Sequence, residues 1–122
     1  MLKRAIPMLH VSQSVKAAQF YCDGLGFHER FVYRPDHPKQ DPCYMGLERD
    51  GVRLHVSSFL GDGVPGGVAT FIVDDLDALH AELVAKGVSL DFEPTLQSWG
   101  NREMYVTDMD RNSVRFIEGT GA

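Results

Sequence analysis

The sequence predicts an α+β chain made of two successive βαβββ modules. Three observations lead there. The hydrophobic period passes from strand to helix and back to strand in the same order in each half, and a Gly-rich stretch separates the halves. Gly51-Val52-Arg53-Leu54 near the end of the first half is also echoed by Ser113-Val114-Arg115-Phe116 near the end of the second. The echo is short, so the shared order of elements carries more of the weight. One domain, 1–122, is expected, with modules at about 4–60 and 67–118 joined by a linker at 61–67.

Residues 5–11 read as a strand with Ile6, Met8 and His10 on one face, and Pro7 assigns it to an edge or a bulge. The period then becomes helical. With Ser12 or Ser14 as N-cap, Val15, Ala18, Tyr21, Cys22 and Leu25 recur near helical spacing until Gly24 and Gly26 end the segment. Residues 27–33 are aromatic and β-branched and read as a strand. Pro35, Pro38 and Pro42 make 35–42 a loop, because no sheet interior accepts three prolines. Strands follow at 43–48 and 52–58 around Arg49-Asp50-Gly51, where Asp-Gly signals a hairpin. Glycines 61, 63, 66 and 67 form the linker. In the second half 68–73 is a strand, and Asp74 or Asp75 caps a helix with Leu76, Leu79, His80, Leu83 and Val84 on one face. Lys86-Gly87 closes it, and strands are predicted at 88–92, 102–107 and 113–118.

Composition narrows the function. The 122 residues are 43% hydrophobic and 24% charged, as in a globular chain large enough to fold without disulfides or a structural metal. Twelve Lys and Arg against seventeen Asp and Glu give a net charge of -5, and the basic residues form no stripe, so nucleic acid is excluded and a neutral or cationic ligand fits better. Pro7 and His10 interrupt the start before an apolar leader develops, and no apolar run approaches the roughly 18 residues of a membrane span, so a cytoplasmic protein is expected. Cys22 and Cys43 lack Cys-x-x-Cys spacing and are expected to be reduced thiols. No Gly-x-Ser-x-Gly elbow or P-loop is present.

Several segments resemble the vicinal oxygen chelate superfamily, which includes glyoxalases, bleomycin-resistance proteins and extradiol dioxygenases, and its bleomycin-resistance branch in particular. Ile6-Pro7-Met8-Leu9-His10-Val11, Ala18-Gln19-Phe20-Tyr21 and Leu25-Gly26-Phe27 are similar to that branch's first strand, "FY" helix and "LGF" exit. More specific is Ser98-Trp99-Gly100-Asn101-Arg102-Glu103-Met104-Tyr105-Val106-Thr107-Asp108, followed by Asp110, Asn112 and Arg115-Phe116, which is similar to the branch's "WGxRxFxxxDPDGN…RF" ending. The resemblance covers nearly the whole chain. It implies curved mixed sheets with concave faces, a homodimer with pockets between subunits and, in several members, exchange of the first strand. Met109 and Arg111 stand where the family turn has Pro and Gly, so either Asn112 takes an unusual conformation or the turn differs.

Catalytic members hold a divalent metal in the concave surface with His, Glu or Gln from four strands. Carried over by strand register, those positions fall on Ile6, His55, Val68 and Arg115, of which only His55 is a ligand type; a slip of two would exchange it for Arg53. No metal, cofactor or catalytic residue is therefore expected. A rearranged set drawn from His10, His55, Glu103 and Glu118 would instead give a metal-dependent lyase, isomerase or dioxygenase. His10 otherwise reads as a partly buried histidine bonded to backbone, and Glu103 as a solvated or Arg-paired strand residue.

Binding without chemistry fits better. Trp99 lies in a loop and is either packed over the sheet end or, as the resemblance favours, a wall of a ligand groove. Phe31, Tyr33, Tyr44 and Phe59 are candidates for the same groove by strand position, with His55, Arg102 and Arg115 in or near it. The expectation is a dimeric, metal-free protein that sequesters a bleomycin-type drug and confers resistance. A third possibility is a dimerisation module that has lost its ligand.

Overall fold

The computed structural model describes residues 1–119. Strand β1 (Met8–His10) leads into helix α1 (Ser14–Ala18), which continues as a π-helical stretch, Gln19–Gly24. Strands β2 (His28–Tyr33), β3 (Tyr44–Arg49) and β4 (Val52–Ser57) complete the first half. The second half comprises β5 (Val68–Val73), α2 (Leu76–Ala85), β6 (Thr95–Leu96), β7 (Arg102–Thr107) and β8 (Ser113–Glu118). Two four-stranded sheets result, in the orders β1-β4-β3-β2 and β5-β8-β7-β6. In each, the strand before the helix lies parallel to the last strand, and the remaining pairs are antiparallel.

Local chemistry fixes several of these elements. Asp50 and Gly51 both take positive φ, 52° and 79°, as a two-residue hairpin turn requires. Asp75, rather than Asp74, caps α2 by accepting from the Ala78 amide at 3.0 Å. Pro7 lies at the edge of the first sheet, where its carbonyl accepts from the His55 amide and its missing N–H costs nothing.

Strand alternation gives each sheet a covered and an open face. In the first sheet Leu9, Leu54, Val56, Met45 and Leu47 are buried in a core with Ala17, Tyr21 and Leu25 from the first helical segment. In the second, Ala69, Phe71, Met104, Val106, Val114 and Phe116 are buried with Leu76 and Leu83 of α2.

The structure corrects four sequence expectations. The first helix buries Ser14, Ala17, Tyr21 and Leu25 and leaves Val15 exposed, because the i to i+5 bonding of the π-helical stretch resets the helical face. Its N-cap is Gln13, and the Ser14 amide donates instead to the Asp41 carboxylate. Residues 88–92 form no strand. Only the Asp91 amide reaches a β7 carbonyl, that of Tyr105, while Val88 and Leu90 pack against the core, so their alternation reflects packing rather than a ladder. The pairing passes to β6, beyond Pro94.

The turn between β7 and β8 places Arg111, not Asn112, at positive φ, 64°. Asn112 is fully buried; its side chain donates to the His10 carbonyl and to Asp108 and accepts from the Gly67 amide. Asp108 also accepts from the Tyr21 hydroxyl at 2.8 Å, so the two halves are clasped by a buried polar network. Cys22 and Cys43 are both free thiols. Among the described residues no helix is long and apolar enough to cross a membrane.

Candidate functional site

The open face of the first sheet is aromatic. Register places Met8, His55, Gly46 and Phe31 in one row across the strands, and His10, Ser57, Tyr44 and Tyr33 in the next. Gly46 sets the geometry, since a Cβ there would stand 2.0 Å from a Phe31 ring carbon. The Phe31 ring therefore lies directly over the β3 backbone. It stacks with Tyr44 (centroids 6.1 Å, planes 8° apart) and meets His55 edge-on at 5.5 Å. Tyr33 stacks on Phe59, just past β4, at 6.1 Å and 10°. Five of the residues selected from sequence, Phe31, Tyr33, Tyr44, His55 and Phe59, are thus brought together, and Phe31 and Tyr33 remain 46% and 57% exposed.

The Tyr44 hydroxyl and His55 Nδ1 are 2.8 Å apart. Burial, helped by the Arg53 charge, lowers the His55 pKa below its usual value. Burial, and then the Asp62 charge, raises that of Tyr44. These shifts favour the uncharged forms of both groups at neutral pH, and the imidazole tautomer sets which of the two donates in the bond between them.

The open face of the second sheet carries Glu103 and Tyr105 on β7 and Arg115 on β8. The Arg115 guanidinium sits 4.5 Å from the Tyr105 ring centroid, a cation–π contact, and its Nε donates to Ser113 Oγ. Trp99, in the loop before β7, is 61% exposed and donates its Nε1–H to Glu103 Oε2 at 2.6 Å. Tyr105 donates to the other oxygen of the same carboxylate, and this bond, more than burial, raises the Tyr105 pKa. Glu103 is only 2% exposed. Sequence reading placed Glu103 on a solvated face, beside an arginine or in a rearranged metal set, and missed its bond to Trp99. The available signal was that Glu103 and Tyr105 stand two apart on one strand, hence on one face, just after the Trp99 loop.

Arg102 is not brought to this face. Alternation along β7 puts it with Met104 and Val106 on the helix-covered side, where it pairs with Asp77 of α2 at 2.9 Å and with Glu118 at 3.5 Å. Its expected place near the ligand groove is corrected accordingly. Both faces are open in the single chain, where Phe31, Tyr33 and Trp99 are exposed. A surface cavity of about 710 Å³ lies elsewhere, beside the Arg49–Glu82 ion pair.

The chelate metal of the catalytic relatives does not fit these residues. The ladders pair His55 with Met8 rather than Ile6 and Arg115 with Thr70 rather than Val68, so a single histidine faces apolar, hydroxyl and cationic side chains, and the register shifted by two would put Arg53 in its place. The His55 nitrogen toward Tyr44 is engaged, and His10 Nδ1 is bonded to the Asp62 carbonyl at 3.0 Å. Among the described residues no group of three or more His, Cys, Asp or Glu is arranged to hold a metal.

Two four-stranded mixed sheets, each covered by a helical segment on one face and open on the other, make up the glyoxalase/bleomycin-resistance fold. The family model described as glyoxalase superfamily protein matches residues 1–121, and the chain belongs to that superfamily. Among solved structures it is similar to a bleomycin-binding protein from bleomycin-producing Streptomyces verticillus complexed with copper(II)-bleomycin. That match has 29% identity and a TM-score of 0.72, covering 98% of this chain and 100% of the other. A member of the glyoxalase/bleomycin resistance protein/dioxygenase superfamily from Sphaerobacter thermophilus matches at 25% identity and a TM-score of 0.74, covering 98% of each chain. An antibiotic-binding protein from Streptomyces sp. CB03234 shares the fold at 22% identity and a TM-score of 0.78, with 98% of each chain covered. A search of curated protein sequences gives no significant match.

Proposed function

We propose that the protein binds a small, partly planar compound of the bleomycin type between two copies of the chain, and sequesters it without chemical change. The observation that carries this reading is the open aromatic face of Phe31, Tyr33, Tyr44, His55 and Phe59, held in place by the close approach at Gly46. Exposed, ordered aromatic rings on a sheet mark a binding surface rather than a core. Each stacked partner contributes on the order of 0.5–1.5 kcal/mol beyond burial, so two or three such walls support micromolar binding or better.

One chain supplies two open walls that do not enclose a ligand. A two-fold pairing sets the aromatic face of one copy against the Trp99–Tyr105–Arg115 face of the other and closes two equivalent sites. The net charge of -5 favours approach of a cationic drug, and the Streptomyces verticillus neighbour supports the drug class. Two free thiols suit a cytoplasmic setting.

The test is a titration of Trp99 fluorescence with metal-free bleomycin, corrected for absorption by the drug. A saturable change at low micromolar drug or below, lost in Trp99→Ala, supports the reading. No change up to millimolar drug rejects bleomycin as the ligand.

A further inference from the structure

We propose that Glu103 is a positioning residue that holds Trp99 as a wall of the ligand site, an inference that rests on the binding reading above. Trp99 is more than half exposed and sits in a loop, so packing alone does not fix its ring. Its Nε1–H is instead donated at 2.6 Å to a carboxylate on the adjoining strand, a charge-assisted bond of the strong kind. Glu103 is itself held. It is 2% exposed, its other oxygen accepts from Tyr105, and the Tyr105 ring is in turn in contact with Phe92, at 4.7 Å between centroids, and with the Arg115 guanidinium.

A buried carboxylate is an expensive way to fill a strand position. Among the described ion pairs none involves Glu103, so its hydrogen bonds from Trp99 and Tyr105 carry the compensation for burial, and a side chain chosen for stability alone would be apolar. The carboxylate does what an apolar residue cannot, which is to accept from the indole and the phenol together. The indole plane is thereby set before a ligand arrives, and binding is spared the cost of ordering that ring.

The chain has a single tryptophan, so its indole proton gives one nuclear magnetic resonance signal. In the ligand-free protein that proton is expected to exchange slowly with water. It should exchange much faster, with lower fluorescence anisotropy, in Glu103→Ala, and stay protected in Glu103→Gln, whose amide oxygen still accepts. Far-ultraviolet circular dichroism serves as the fold control. Glu103→Met, close in volume but lacking a comparable acceptor, replaces the alanine variant if that one does not fold. An indole proton in the native protein that exchanges as fast as in Glu103→Ala overturns the proposal.

Calorimetry with metal-free bleomycin adds the second readout. Glu103→Ala should weaken binding roughly tenfold, Glu103→Gln should restore most of it, and Glu103→Ala made on top of Trp99→Phe should cost clearly less than it does alone, the remainder acting through Tyr105. An undiminished loss in the Trp99→Phe background overturns the positioning role, because Glu103 then acts independently of the indole. If the native protein binds no bleomycin, the functional reading falls, while the exchange experiment still decides what Glu103 does.

Discussion

Gly46→Ala is the most informative single change, because it adds one methyl group at a point where the structure leaves no room. The new Cβ would lie 2.0, 2.6 and 2.7 Å from three carbons of the Phe31 ring. Gly46 is paired with Phe31 of β2 on one side and His55 of β4 on the other, so the backbone cannot retreat and the ring must swing away. Its stacked contact with Tyr44 and its edge contact with His55 are then lost, together about 1–3 kcal/mol. Two effects reduce that figure: Phe31 is nearly half exposed, and alanine gains roughly 0.5–1 kcal/mol over glycine in a strand. The expected loss of stability by urea denaturation is therefore about 0–2 kcal/mol. Binding suffers more, since a wall of the aromatic face is displaced, and affinity for metal-free bleomycin should fall about tenfold. In a Phe31→Ala background the same substitution should become neutral or stabilising. Native-like affinity in Gly46→Ala, with an equal stability change in both backgrounds, would refute the placement of Phe31 over Gly46.

Other consequences are equally direct. Asn112→Ala strands the Gly67 amide and the His10 carbonyl in a buried clasp and should cost about 2–4 kcal/mol in urea denaturation. Arg111→Gly relieves a left-handed conformation at φ 64° and should raise the thermal midpoint, a gain of up to about 1 kcal/mol after the entropy of the added glycine. The His55 pKa is lowered in the fold, so its contribution to stability is complete above about pH 6.5 and is lost as pH falls through the folded value. A His55→Gln variant should show a flatter stability profile between about pH 7 and 5, measured by urea midpoints.

Much of the fold is legible in the sequence where a local chemical rule decides it. Asp50-Gly51 specifies its hairpin, and Asp74-Asp75 marks the helix start with no knowledge of the rest of the chain, the structure then choosing Asp75 as the cap. Expectations failed where a distant partner decides. Val88 and Leu90 alternate like a strand because they pack on the core, and the π-helical stretch turned the predicted face of the first helix away from Val15. The aromatic members of the candidate site were readable from strand position. Gly46 was not, because its role depends on a ring contributed by another strand, and Glu103 was not, because the Trp99 loop has to fold back before the carboxylate has a partner. Arg102 was misassigned by one step of alternation: its neighbour Glu103 faces the open side, so Arg102 faces α2.

The central claim is that the two open faces together form the ligand site. Nuclear magnetic resonance of the aromatic side chains during a titration with metal-free bleomycin tests it most directly. Shifts concentrated at Phe31, Tyr33 and Tyr44 on one sheet and at Trp99 and Tyr105 on the other, saturating at the same drug concentration, are the predicted result. Shifts confined to the cavity beside Arg49 and Glu82, or absent from either face at saturation, would contradict it.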